Sequence, residues 1–172
     1  MRALVTGGAG FIGSHLVEAL IGQGDDVAVL DDLSTGSRSN LSMLEGNRRL
    51  AFHDGSILDP EIVDYLVREA DVVYHLAAAV GVKWVLDHPL RSLLTNVRGT
   101  EIILDRANAH TKKVVLASTS EVYGKNDTHS LQEDDDRILG SSRLARWHYA
   151  TAKALDESLA LSYWYERQLG WS

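Results

Sequence analysis

At 172 residues, with 45% apolar and 24% charged positions, the chain has the size and composition of one water-soluble domain with its own core. It contains no cysteine, which excludes disulfides and thiolate metal sites, and its net charge of −7 leaves no cationic footprint for nucleic acid. No apolar run approaches the ~20 residues that span a bilayer, and no charged-then-apolar leader precedes the first strand. No nucleic-acid or membrane partner is therefore expected, and the expected location is cytoplasmic.

Residues 2–5 read as a short apolar strand, followed at once by glycines at 7, 8, 10 and 13 and then by an amphipathic segment. Gly8, Gly10 and Gly13 satisfy G-x-G-x-x-G between a strand and a helix, the pattern of a dinucleotide site. The first glycines permit a sharp turn, Gly10 permits close approach of a pyrophosphate, and Gly13 permits tight packing of the helix. The helix start then offers free N–H groups to phosphate. Ile12, Leu16, Ala19 and Leu20 are expected to form the buried stripe of that helix. A second strand, 27–30, runs into Asp31, roughly 20 residues beyond the glycines, where an acid accepts hydrogen bonds from a ribose. The competing triphosphate motif fails, because Ser14 stands where it requires lysine.

Further along, 49–53 reads as a third strand and 60–68 as a helix with Asp59 as its N-cap. Residues 71–76 form a fourth strand. A helix over 90–108 carries Leu90, Leu93, Leu94, Val97 and Leu104 on one stripe. Residues 112–117 make a fifth strand, 124–145 a polar loop, and 146–169 a long final helix. The alternation predicts an α/β fold, a doubly wound parallel sheet of about five strands, built as a single domain over residues 1–172. The seven histidines show no metal-binding spacing, so no metal is expected. His53 and His75 end strands and read as structural, and His15 reads as packed near the glycine turn.

Two downstream groups carry chemistry. Tyr149 and Lys153 are separated by one helical turn and share a face. A nearby ammonium favours phenolate, so the Tyr149 pKa is expected to fall from about 10 towards neutral, which suits a base that takes a proton from an alcohol. The fifth strand ends in Ser118-Thr119-Ser120-Glu121-Val122-Tyr123-Gly124, which gathers three hydroxyls and a carboxylate where parallel sheets bind ligands.

Together these residues resemble the extended short-chain dehydrogenase/reductases, in their NAD-dependent epimerase/dehydratase branch. The matching segments are residues 6–13, Asp31 to Gly36, Asp54, His75 to Ala78, Asn96, Ser118 to Gly124, and Tyr149 with Lys153. The resemblance implies a Rossmann fold with NAD as cofactor. Gly7, Gly10, Phe11, Ile12 and Gly13 would cradle the pyrophosphate. Asp31 would bind the adenosine ribose, flanked by Asp32, Leu33, Ser34, Thr35 and Gly36, while Asp54 and Ile57 would flank adenine. Leu76, Ala77 and Ala78 would line the nicotinamide side, Ser118 would also belong to the cofactor site, and Asn96 would support the helix and cofactor region. Thr119 would bond the sugar hydroxyl, Tyr149 would be the base, and Lys153 would hold the cofactor ribose.

Substrates of this branch are sugars linked to a nucleoside diphosphate, oxidised at C4 to a keto intermediate. The sugar 4,6-dehydratases carry Thr-Asp-Glu, and here Ser120 replaces that Asp, which argues against dehydration. The first expectation is a 4-epimerase. The alternative is a nucleotide-sugar uronate decarboxylase, where Glu121 would assist carboxylate loss, although residues 80–87 lack the Ser-Pro-x-x-Tyr pattern of that subfamily. The resemblance also implies a homodimer through helices 90–108 and 146–169, and a carboxyl-terminal region that grips the nucleotide-sugar. The chain ends at Ser172, so a truncated protein is expected, with its fifth strand an open edge and a catalytically inactive NAD-binding fragment as a further alternative.

Overall fold

The structure is a computed structural model and describes residues 1–127 and 130–168. Five parallel strands form one sheet: β1 (Arg2–Thr6), β2 (Asp26–Asp31), β3 (Leu50–Asp54), β4 (Val72–His75) and β5 (Lys113–Leu116). Their order is β3-β2-β1-β4-β5, so the chain crosses β1 when it passes from β3 to β4. β1 lies at the centre, with Val5 paired to Val29 on one side and to Tyr74 on the other. It is buried on both faces from Ala3 to Thr6, which is why it reads as a continuous apolar run rather than as an alternating one. β3 and β5 are the two sheet edges.

Helices cover both faces. On one, α2 (Pro60–Glu69), α5 (Gly99–Ala109) and α6 (His148–Arg167) pack Val63, Val67, Ile103, Leu104 and Ala160 against Leu4, Leu30, Val73 and Val114. On the other, α1 (Phe11–Gly22) and a 3-10 turn at Arg38–Leu44 pack Val17, Leu20, Ile21 and Leu41 against Val5, Val27 and Val29. On this second face Tyr74 of β4 and Val115 of β5 are only partly buried.

Several elements differ from the sequence expectation. The buried side of α1 is Gly13, Ser14, Val17, Leu20 and Ile21, whereas Phe11 and Ile12 are 80% and 70% exposed and Ala19 also faces out. The helix is rotated because Gly13, not Ile12, must face the glycine turn. His15 is exposed, its Nδ1 2.8 Å from the Phe11 carbonyl oxygen, and is not packed in the core.

The helix expected over 90–108 is three pieces: α4 (Pro89–Leu93), a π turn (Leu94–Arg98) and α5, preceded by an additional helix α3 (Val82–Asp87). Its inner face is polar at first, with Ser92, Asn96 and Thr100 buried, while Leu90 and Leu94 point outward. The final helix opens with a 3-10 turn at Ala145–Trp147, and its expected end at Leu169 lies outside the described residues. The remaining strand and helix limits shift by one residue, the usual scatter of element ends.

Candidate functional site

The carboxyl ends of β1 and β4 diverge at the point where the chain reverses direction across the sheet, the place where such sheets open a crevice. A cavity of about 460 Å³ occupies it. Its floor is the turn between β1 and α1. Gly7 has φ +73°, and a Cβ there would sit 2.7 Å from the Ala77 nitrogen. A Cβ at Gly13 would overlap the Gly7 carbonyl oxygen. Only glycine lets the helix start this close to the strand end. No side chain caps α1 and no acid lies in its first turn, so its free N–H groups and positive dipole end serve the cavity.

Asp31 sits on the same wall, 8% exposed. Its carboxylate accepts from the Ala9 N–H at 2.9 Å and from the Leu33 N–H at 2.9 Å. It thus latches the glycine turn to the loop after β2, in addition to facing the cavity. Leu33 takes up a left-handed φ of 57° beneath that latch. Asp32, Ser34, Thr35 and Gly36 also line the wall, and a Cβ at Gly36 would lie 2.9 Å from the Ala9 carbonyl.

The opposite wall is Leu76, Ala77 and Ala78, continued by Ala79 and Val80. Asn96 does not line the cavity. It clamps this wall from behind, its Oδ1 accepting from the Ala79 N–H at 2.7 Å and its Nδ2 donating to the Ala79 carbonyl at 3.2 Å. The π turn that carries Asn96 delivers this double bond, and π turns recur at functional sites. Ile57 is buried and lines the cavity, whereas Asp54 is exposed and Leu33 packs into the core, both off the cavity wall.

Ser118, Tyr149 and Lys153 close the far end. Ser118 Oγ donates to Glu157 of α6, which ties the end of β5 to that helix. Thr119, Ser120 and Glu121 form a short 3-10 turn beside α6, with Thr119 Oγ1 accepting from the Glu121 N–H at 3.3 Å. They lie next to the cavity rather than on its wall, and Glu121 acts electrostatically on Tyr149.

The direction of the Tyr149 shift is the reverse of the expectation. Burial pushes the phenol above its usual value of about 10, and the negative charges of Glu121 and Asp156 push it further. The Lys153 ammonium lies 3.4 Å from the Asp156 carboxylate. Asp156 is the site group that sequence reasoning missed. The available signal was its position three residues after Lys153, on the same helix face.

Comparisons with known proteins identify the family and the fold. Residues 4–171 match the family described as GDP-mannose 4,6 dehydratase. The chain is 46% identical over 162 residues to a UDP-N-acetyl-alpha-D-glucosaminuronate decarboxylase of Bacillus cytotoxicus, covering 94% of this chain and 50% of that protein. It is similar in structure to a dTDP-glucose 4,6-dehydratase from Streptomyces venezuelae solved with NAD bound, with a TM-score of 0.90, 36% identity, and coverage of 99% of this chain and 54% of the other. A UDP-glucose 4-epimerase from Thermotoga maritima solved with UDP-glucose gives a TM-score of 0.86 at 33% identity, covering 99% and 53%. The chain thus spans about half the length of these proteins.

Proposed function

Because the chain belongs to the NAD-dependent epimerase/dehydratase family, we propose that it is a nucleotide-binding unit that holds NAD, in an enzyme that oxidises C4 of a sugar linked to a nucleoside diphosphate. The observation that carries the reading is that one cavity brings together the glycine turn, Asp31, Tyr149 and Lys153. The residues fit the cofactor. Glycine backbone free of Cβ atoms would admit a pyrophosphate, the uncapped helix start beside it would favour the negative charge, and the Asp31 carboxylate on the same cavity would accept from a ribose diol.

The chemistry NAD supplies there is acceptance of a hydride from the sugar carbon. Tyr149 takes the proton of the C4 hydroxyl, Thr119 orients that hydroxyl, and Lys153 holds the cofactor ribose. Ser118 keeps β5 and α6 in register around them.

For the fate of the keto sugar, the reading favoured is decarboxylation of a uronate. Ser120 stands in place of a dehydratase acid, Glu121 is at hand beside Tyr149, and the 46% identical relative is a uronate decarboxylase. A ketone at C4 makes the C6 carboxylate a β-keto acid. The C5–C6 bond can then break with its electron pair delocalised onto the carbonyl oxygen, and C5 is reprotonated before the ketone is reduced. This reverses the order expected from sequence, which placed 4-epimerisation first. The test is to incubate the full-length protein with NAD and uronate or neutral nucleotide-sugars. Carbon dioxide released with a pentose product is expected. A C4 epimer without carbon dioxide restores the epimerase reading, and a 4-keto-6-deoxy product restores dehydration.

NAD is expected to bind more tightly than NADP, because a 2′-phosphate would meet the Asp31 carboxylate. The next cation along the chain, Arg38, stacks on the Phe52 ring 4.4 Å away. Calorimetry with both cofactors checks this, and equal or tighter NADP binding would reject it. A homodimer through residues 90–108 and 146–169 remains the proposed assembly, supported by the outward-facing Leu90, Leu94, Leu155 and Trp164 on those segments.

A further inference from the structure

The core-facing stripe of α6 runs Ala152, Lys153, Asp156 and Ala160, all buried, so two opposite charges stand where the periodicity calls for apolar side chains. Lys153 is 3% exposed and Asp156 is 0% exposed. Among the described residues, neither Asp156 oxygen has a hydrogen-bond partner of ordinary geometry. Its nearest cation is Lys153 Nζ at 3.4 Å, and a buried charge persists only when it is paired. The geometry points to Asp156 as the positioning residue for Lys153: its carboxylate keeps the buried ammonium charged and anchored at the core face, leaving the remaining N–H donors for the cavity. The inference rests on the reading that Lys153 holds the cofactor ribose.

The surroundings support this pairing. Burial alone pulls the Lys153 ammonium towards neutrality, and Asp156 is the chief group opposing that. Burial raises the Asp156 carboxyl to about 6, against the lowering pull of Lys153 and of the Thr100 hydroxyl, with Glu157 on the same helix adding to the rise. Behind Lys153 stands His75 of β4, its pKa depressed to about 3 by burial and by the lysine. It is neutral at working pH and bonded to Thr6 Oγ1 at 2.7 Å and Thr100 Oγ1 at 3.1 Å. Thr6 Oγ1 in turn accepts from the Ala77 N–H at 3.2 Å, so the polar chain behind the lysine reaches the cavity wall. Tyr149 feels the Asp156 charge from the same helix. His75 is neutral and cannot serve as a cation for Asp156, which leaves Lys153 as the cation within contact of that carboxylate among the described residues.

A double-mutant cycle on NAD binding by calorimetry tests the proposal. Lys153→Met and Asp156→Asn should each weaken NAD by about 10–100-fold, the range for a lost hydrogen bond to a charged group. The double variant should be no weaker than Lys153→Met alone. An unaffected Asp156→Asn, or losses that multiply in the double variant, overturns the proposal. An unaffected Lys153→Met instead overturns the reading of Lys153 as the ribose ligand. A second measurement needs no variant at the pair. The ε-carbon resonance of Lys153, followed by NMR in the wild-type protein, should move as pH is raised through about 6, the range where Asp156 titrates. It should move likewise in Glu157→Gln. A flat resonance, or movement lost in Glu157→Gln, overturns the pairing.

Discussion

Tyr149→Phe is expected to abolish oxidation of the sugar while leaving NAD affinity within a few-fold of wild type. The change removes only the phenolic oxygen, and a positioned base contributes roughly 10²–10⁴ in rate. The structure also sets the pH dependence. Burial, Glu121 and Asp156 all hold the phenol protonated. The phenolate is therefore scarce near neutral pH until positive charge enters the site. Turnover in the full-length protein should rise with pH along the limb that reports this group. Glu121→Gln removes a negative charge that opposes the phenolate, so it should shift that limb to lower pH. Turnover of Tyr149→Phe within tenfold of wild type would remove the tyrosine from the mechanism. A limb unmoved in Glu121→Gln would remove the electrostatic account.

Asp31→Ala is expected to do more than relax cofactor choice. The carboxylate accepts two backbone N–H groups, from Ala9 in the glycine turn and Leu33 after β2, both at 2.9 Å. Removing it orphans two largely buried donors, and each such loss costs about 1–3 kcal/mol. The variant should unfold at clearly lower urea, by about 2 kcal/mol or more in stability. Its NAD affinity should fall further than the loss of a ribose contact alone explains, because the pyrophosphate turn loosens with it. An unchanged unfolding midpoint would show that the latch carries no weight. Asp31→Asn keeps one acceptor and should fall between the two, a graded series that a contact with the ribose alone would not produce in stability.

Much of this was legible along the chain. Strand, glycines, helix, strand and acid follow one another within the first 31 residues. Each signal there is local: a glycine is required where a Cβ would strike backbone a few residues away, and strands announce themselves by apolar runs. Tyr149 and Lys153 were also legible, because one helical turn fixes their shared face. Other features depended on partners far off in sequence. The stripe of α1 turned when Gly13 had to meet the Gly7 carbonyl. Leu90 and Leu94 look like core by period, yet the inward positions belong to Ser92, Asn96 and Thr100, whose partners are Ala79 and His75. The sign of the Tyr149 shift turned on burial, which no spacing reports, and then on the negative charges of Glu121 and Asp156. Local sterics and periodicity are written in neighbouring residues. The Lys153–Asp156 spacing is local, but the desolvation that sets the strength of that pair and the sign of the Tyr149 shift exists only once β4, α5 and α6 have packed and excluded water, so the tertiary structure decided the electrostatics of the site.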